Sequence, residues 1–240
     1  MRMGLFGGLA LALIMAGGAA RADTLPLPPN LVDVQSADGG AFLFESEARA
    51  AYFPLAINFL TQKTQSYCGV ASTVMVLNAL NVPAPTTAEY APFHTFTQDN
   101  VLDEKTEAIL PQATIAKQGM TLDQLGQLIG RYSVPVEVVH AGDTSLADFR
   151  ARAKDYLAQK DHFVIINYLR KALGQQTYGH ISPLAAYDGK TDRFLIMDVA
   201  RYKYPPVWVT ATDLFDAMNT VDSDNQNRTR GFVLIAKPGG

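Results

Sequence analysis

The sequence predicts an α+β chain with a helical front half and an antiparallel sheet behind it. Apolar residues at helical spacing run through Val70, Val74 and Leu77, with Ala71 and Met75 beside them. Capping residues at Thr121 and Ser145 open two further helices. From residue 163 onward, short β-branched and aromatic runs alternate with Gly and Pro signals. Helices followed by a succession of strands is the order of an α+β architecture.

At the amino end Arg2 precedes an apolar run over 5–15, and Ala20-Arg21-Ala22 follows. That is the pattern of a cleaved secretory leader, so the expectation is a signal peptide over 1–22, a single catalytic domain over 23–240, and an exported, periplasmic location in a Gram-negative host. The run is shorter than the roughly 20 residues a bilayer span needs, and no second long apolar run follows, so no stable membrane insertion is expected. The full chain has 240 residues, 48% of them hydrophobic, enough for one substantial core. Its net charge of −3 becomes more negative once Arg2 and Arg21 are removed, and its basic residues are scattered. Nucleic-acid binding is therefore excluded as an expectation, while a homodimer is left open.

After a Pro-rich arm over 25–29, the first strong helix carries the apolar residues above, and Asn81-Val82-Pro83 ends it. Thr121-Leu122-Asp123-Gln124 reads as a capping box for a helix through Leu128 and Ile129, and Ser145 caps another to about Gln159. Strands are expected over 163–168, 181–187, 193–199 and 231–236.

Cys68, the chain's one cysteine, falls in the first turn of the first strong helix. A lone thiol in an exported chain has no intramolecular disulfide partner, and first-turn N–H groups with the helix dipole favour its anion. Of the four histidines, His94, His140 and His162 have no evident acidic neighbour on a paired strand. His180 differs: Asp188-Gly189-Lys190 is a turn signal, and a hairpin pivoting near Gly189 sets His180 opposite Asp198. The aspartate then fixes one imidazole nitrogen while the other faces the thiol. A one-residue shift of the pivot keeps both on one face, displaced by two positions. Gln62, or Gln65 nearer in sequence, is the amide expected to help the Cys68 N–H hold an oxyanion.

The stretch Thr64-Gln65-Ser66-Tyr67-Cys68-Gly69-Val70-Ala71-Ser72, with Val76-Leu77-Asn78-Ala79-Leu80, resembles the nucleophile segment of the phytochelatin synthase family. The same holds for His180-Ile181-Ser182-Pro183, for the run from Asp198-Val199-Ala200-Arg201 to Trp208-Val209, for Ala217-Met218-Asn219-Thr220-Val221-Asp222, and for Arg230-Gly231-Phe232. These motifs come in the family's order over about 52–235. The resemblance implies a papain-like cysteine peptidase fold, in which a helical lobe carrying the nucleophile packs on an antiparallel sheet. It also implies a triad of Cys68, His180 and Asp198, with Gln62 at the oxyanion.

Without a Cys-rich carboxyl-terminal region, the sequence is most similar to the short bacterial, single-domain type. That implies mainly hydrolysis of the Cys–Gly bond of glutathione, with weak transfer of γ-glutamylcysteine to a second glutathione. The resemblance further assigns Arg170 and Arg230 to the substrate carboxylate, Asn167 to a supporting hydrogen bond and Asp222 to the substrate ammonium. No bound cofactor and no protein metal site are expected; cadmium or zinc would enter as a metal–glutathione substrate. The competing class is a periplasmic papain-like amidase acting on another γ-glutamyl peptide, such as one from the cell wall. A metal- or thiol-binding module is disfavoured, because one cysteine and four dispersed histidines supply no strong ligand set.

Two neighbouring segments also draw attention. Tyr202, Tyr204, Pro205, Pro206 and Trp208 either wall the cleft or serve as core and stiff loop. Residues 174–179, glycine-bounded and polar, read as a mobile loop at the rim.

Overall fold

The computed structural model describes residues 24–237; the expected leader over 1–22 lies outside the described residues. The α+β expectation holds. A short strand β1 (Val32–Asp33) is followed by helices α1 (Ala37–Glu45) and α2 (Tyr52–Ile57), and then by α3 (Cys68–Ala79), which bears the cysteine. The short helices α4 (Glu104–Glu107) and α5 (Gln112–Gln118) lead to α6 (Leu122–Gly130). Thr121 closes the expected capping box with Gln124 at the start of α6. Strand β2 (Val136–His140) precedes α7 (Leu146–Ala158), which Ser145 caps by accepting from the Asp148 N–H.

The helix α3 is more than an apolar stripe. Eleven of its twelve residues are buried, leaving only Asn78 partly open. A helix buried on all sides belongs to the interior, so the thiol at its first position is carried on a fixed mount. A Cβ at Gly69 would lie 2.4 Å from the Met120 sulfur, so any side chain there would have to displace that methionine.

Behind these helices lie β3 (His162–Leu169), β4 (Gly179–Asp188), β5 (Arg193–Ile196) and β6 (Val207–Thr210), followed by α8 (Ala211–Met218), the small pair β7 (Val221–Asp222) and β8 (Arg228–Thr229), and β9 (Gly231–Ala236). The main sheet runs β1-β6-β5-β4-β3-β9-β2, and every pair in it is antiparallel. Consecutive residues of β3 and β4 are buried, so both faces of the sheet centre are covered. Helices α7 and α8 pack on β3, while α3, with α1 and α2, packs on β4.

The hairpin that sets the site differs from the expected register. Strand β5 stops at Ile196, short of the expected 199, and pairs Leu184 with Ile196 across a bulge. Continuing that register, Asp198 would fall level with Ser182, two places from His180, and it lies beyond the ladder. Pro183 explains how a proline survives in a central strand: its carbonyl accepts from the Met197 N–H at 2.9 Å, so its missing N–H faces the side on which β5 has already ended. Three strands of the main sheet were not expected. Val32–Asp33 (β1) pairs along β6, Val136–His140 (β2) pairs along β9, and Val207–Thr210 (β6) pairs along β5.

Candidate active site

Cys68 begins α3 and opens onto a cavity of about 630 Å³. Its backbone N–H, as the first of the helix, has no partner among the described residues. The strand β4 lies beside it, and His180 near the start of that strand is 4% exposed. The imidazole packs edge-on against Tyr168, with ring centroids 5.7 Å apart. Its Nε2 lies 2.9 Å from Asp198 Oδ1 and 3.0 Å from Ser182 Oγ. With Nε2 committed, Nδ1 is the nitrogen left to face the thiol. The three groups form a file from cavity to interior, for Asp198 is fully buried behind the ring.

Burial pushes the Cys68 thiol up, but the hydrogen bond and charge of His180, with the Ile181 and Gly69 backbone N–H groups, hold it below the ordinary thiol value. Burial and the Arg170 charge push His180 down; the charge and hydrogen bond of Asp198 and the bond to Cys68 outweigh them and raise it. Burial likewise works to raise Asp198, yet the charges and hydrogen bonds of His180 and Arg170 bring it down to about 2. A lowered thiol beside a raised imidazole favours the thiolate–imidazolium pair.

Asp198 accepts more than the sequence suggested. The Nη2 of Arg170 lies 2.8 and 2.7 Å from its two oxygens, and the Ala200 N–H donates at 2.8 Å. Arg170 is only 3% exposed, and its Nη1 donates to Gln175 Oε1 at 2.7 Å. The carboxylate that Arg170 grips within the folded chain is therefore Asp198, a partner the sequence did not suggest.

Gln62 is buried at the cavity wall, whereas Gln65 is exposed and accepts from Lys203 Nζ at 3.4 Å. The Gln62 Nε2 donates to the Thr64 carbonyl at 2.7 Å and to the Tyr202 hydroxyl at 3.0 Å, and its buried Oε1 has no partner. Arg230 Nη2 and Asp222 Oδ1, which line the same cavity, are 3.4 Å apart, and both side chains are nearly buried. The Nη1 of Arg230 is held by the Val221 carbonyl at 2.6 Å, while its buried Nε has no partner. Asn167 lines the same cavity, and its side chain makes no hydrogen bond among the described residues. The structure thus gathers Cys68, His180, Gln62, Asn167, Arg170, Asp222 and Arg230 around one cavity, with Asp198 directly behind it.

Two other expectations change. The 174–179 segment is pinned: the Gln175 N–H donates to the Arg170 carbonyl at 3.1 Å, the Gln176 N–H to the Tyr204 hydroxyl at 2.7 Å, and the Arg170 N–H to the Tyr178 carbonyl at 3.1 Å. The aromatic cluster after Asp198 is split. Tyr204 lies under the Arg170 guanidinium at 5.1 Å, Tyr202 meets Gln62, and Trp208 is core, donating to the Gly39 carbonyl at 3.0 Å.

Sequence reasoning missed Ser182, although residues i and i+2 of a strand share a face and that rule alone brings it to His180. It also missed the acid beside His140, because Asp123 comes from a helix and not from a paired strand; His140 Nε2 and Asp123 Oδ1 are 3.0 Å apart.

A family model described as phytochelatin synthase matches residues 22–232. Glutathione gamma-glutamylcysteinyltransferase 3 of Lotus japonicus is 34% identical over 226 residues, which cover 93% of this chain and 46% of that protein. Glutathione gamma-glutamylcysteinyltransferase 1 of the same plant is 36% identical over 217 residues, 89% of this chain and 42% of that protein. The glutathione gamma-glutamylcysteinyltransferase of Schizosaccharomyces pombe is 29% identical over 184 residues, 77% of this chain and 43% of that protein. The chain spans less than half the length of these relatives.

Proposed function

The chain belongs to the phytochelatin synthase family, and from that premise we propose that it is a thiol acyltransferase that cleaves glutathione at its Cys–Gly bond. The observation that carries this reading is the file of Cys68, His180 and Asp198 facing a cavity whose wall also holds an Arg230–Asp222 pair and an unengaged Asn167 amide. A γ-glutamyl end presents an α-carboxylate and an α-ammonium. The guanidinium suits the first, the aspartate the second, and Asn167 can serve either as donor or as acceptor.

In the reaction the Cys68 thiolate attacks the carbonyl carbon of the Cys–Gly bond. The Cys68 N–H and Gln62 receive the oxyanion, Gln62 by releasing the exposed Tyr202 hydroxyl. The carbon–nitrogen bond breaks as His180 gives the Nδ1 proton to the glycine amine, leaving γ-glutamylcysteine as a thioester on Cys68. His180 then takes a proton from water, which attacks the thioester, and γ-glutamylcysteine departs as its carboxylate while the sulfur is restored. Replacing water by the α-amine of a second glutathione gives a longer peptide by the same chemistry. Hydrolysis is the primary activity in this reading, and cadmium or zinc enters only as a metal–glutathione thiolate substrate.

A papain-like arrangement is part of the proposal. It is supported by a nucleophile at the start of a buried helix that lies against an antiparallel sheet bearing the imidazole. Export with leader cleavage rests on the amino-terminal pattern of Arg2 and the apolar run behind it; an intact amino terminus on the exported protein contradicts the cleavage. The enzymatic reading is tested by incubating the protein with glutathione and measuring free glycine. Release by the wild type and none by Cys68→Ser supports it; no release by either refutes it.

A further inference from the structure

We propose that Arg170 is a positioning residue of this site: it holds Asp198 against Nε2 of His180 and cancels the carboxylate's charge, so that Asp198 orients the imidazole much as a neutral amide would. The inference deepens the acyl-transfer reading and rests on it for its meaning in catalysis.

Three observations carry it. Both oxygens of Asp198 lie within 2.8 Å of one guanidinium nitrogen, in a place where Asp198 is 0% and Arg170 3% exposed. The guanidinium is itself fixed, by Gln175 Oε1 at 2.7 Å and by the Tyr204 ring at 5.1 Å. And the Nη2 contacts leave Oδ1 in reach of His180 at 2.9 Å, so orientation and neutralisation act on one carboxylate together.

The chemical need follows from the two jobs of His180. It must be protonated when the glycine amine leaves, and it must then surrender that proton. A buried, unbalanced carboxylate 2.9 Å behind the ring would stabilise the imidazolium strongly in so dry a place and slow the surrender. A carboxylate already matched by a guanidinium keeps its hydrogen bond while adding little net field. The groups facing this imidazole are Cys68 from α3, Tyr168 from β3, Ser182 from its own strand, Asp198 from the segment after β5, and Arg170 from the turn after β3. Tyr204 adjoins through Arg170, and Tyr202 through Gln62. Of these, Arg170 alone carries a fixed positive charge.

Because Cys68 is the chain's one cysteine, iodoacetamide reports a single thiol, and the test does not depend on glutathione being the substrate. Alkylation rate is measured against pH for the wild type, Arg170→Gln, Asp198→Asn and the double variant Arg170→Gln/Asp198→Asn. The readout is the alkaline step at which the imidazolium loses its proton. Removing the guanidinium alone leaves the carboxylate unbalanced, and the step rises by about one pH unit or more. Removing the carboxylate charge alone leaves the guanidinium unbalanced, and the step falls. Neutralising both returns it to the wild-type position. Should Arg170→Gln fail to fold, a lowered step in Asp198→Asn that the double variant brings back to the wild-type position still decides the matter. A step that stays in place in the folded single variants, or a double variant that keeps a single variant's shift, overturns the proposal. Absence of glycine release from the wild type would refute the acyl-transfer reading while leaving this profile intact.

Discussion

The Ser72 hydroxyl, one turn into α3, donates to the Cys68 carbonyl at 2.8 Å and reaches the Ile181 carbonyl of β4 at 3.3 Å. One fully buried side chain thereby ties the helix that carries the thiol to the strand that carries the imidazole. Ser72→Ala removes a buried donor but leaves the Cys68 carbonyl within its helix. The expected loss is roughly 0.5–1.5 kcal/mol of stability, read as a lower urea midpoint with an unchanged m-value. A wild-type midpoint would show that the tie contributes nothing.

In the proposed reading, recognition of the substrate's charged end rests on Arg230 and Asp222. A hydrogen bond to a charged group is worth roughly 1.5–3 kcal/mol, so kcat/KM for glutathione falls on the order of 10- to 100-fold in Arg230→Ala. The fall lies mainly in KM if the pair binds substrate and transition state alike. Kinetics of Arg230→Ala and Asp222→Asn check this, with far-ultraviolet circular dichroism to confirm folding. Unchanged kinetics would place the pair outside the substrate's reach.

The two amides make opposite predictions. Gln62 is buried at the cavity wall and Gln65 is exposed, so Gln62→Ala lowers kcat by about 10²–10³, while Gln65→Ala alters it little. The reverse pattern would give the oxyanion to Gln65.

Acid stability follows from Asp198. Its carboxyl is held down to about 2 in the folded chain against 3.8 for the free group. A depressed folded value means stability that is present above pH 3.8 and lost as pH falls toward 2. Thermal melts across this range drop steeply for the wild type. The drop is shallower for Arg170→Gln/Asp198→Asn, in which no carboxyl remains to be protonated there. Equal slopes would assign the acid sensitivity to other groups.

How much of this was legible in the sequence depended on range. Local signals carried fully: Thr121 and Ser145 cap the helices they were expected to cap, because a cap is decided within four residues. The pairing of His180 with Asp198 was legible only as a shared face. The bulge between Leu184 and Ala186 and the early end of β5 shift the register, and neither leaves a mark that composition can show. The grip of Arg170 on Asp198 spans 28 residues of sequence and belongs to no periodic pattern, so it was not legible, and the arginine's expected role came from the family resemblance alone. Strand β6 went unread because Pro205 and Pro206 just ahead of it suggested a loop, although Val207 to Thr210 alone has strand character.

The central claim is that Cys68 carries γ-glutamylcysteine during turnover. Mass spectrometry of protein mixed with glutathione and quenched in acid within one turnover tests it most directly. The account predicts a thioester adduct of γ-glutamylcysteine, lacking glycine, on the Cys68 peptide and removable by hydroxylamine. Whole glutathione held there as a disulfide, or glycine released with Cys68 unmodified and dispensable, would contradict it.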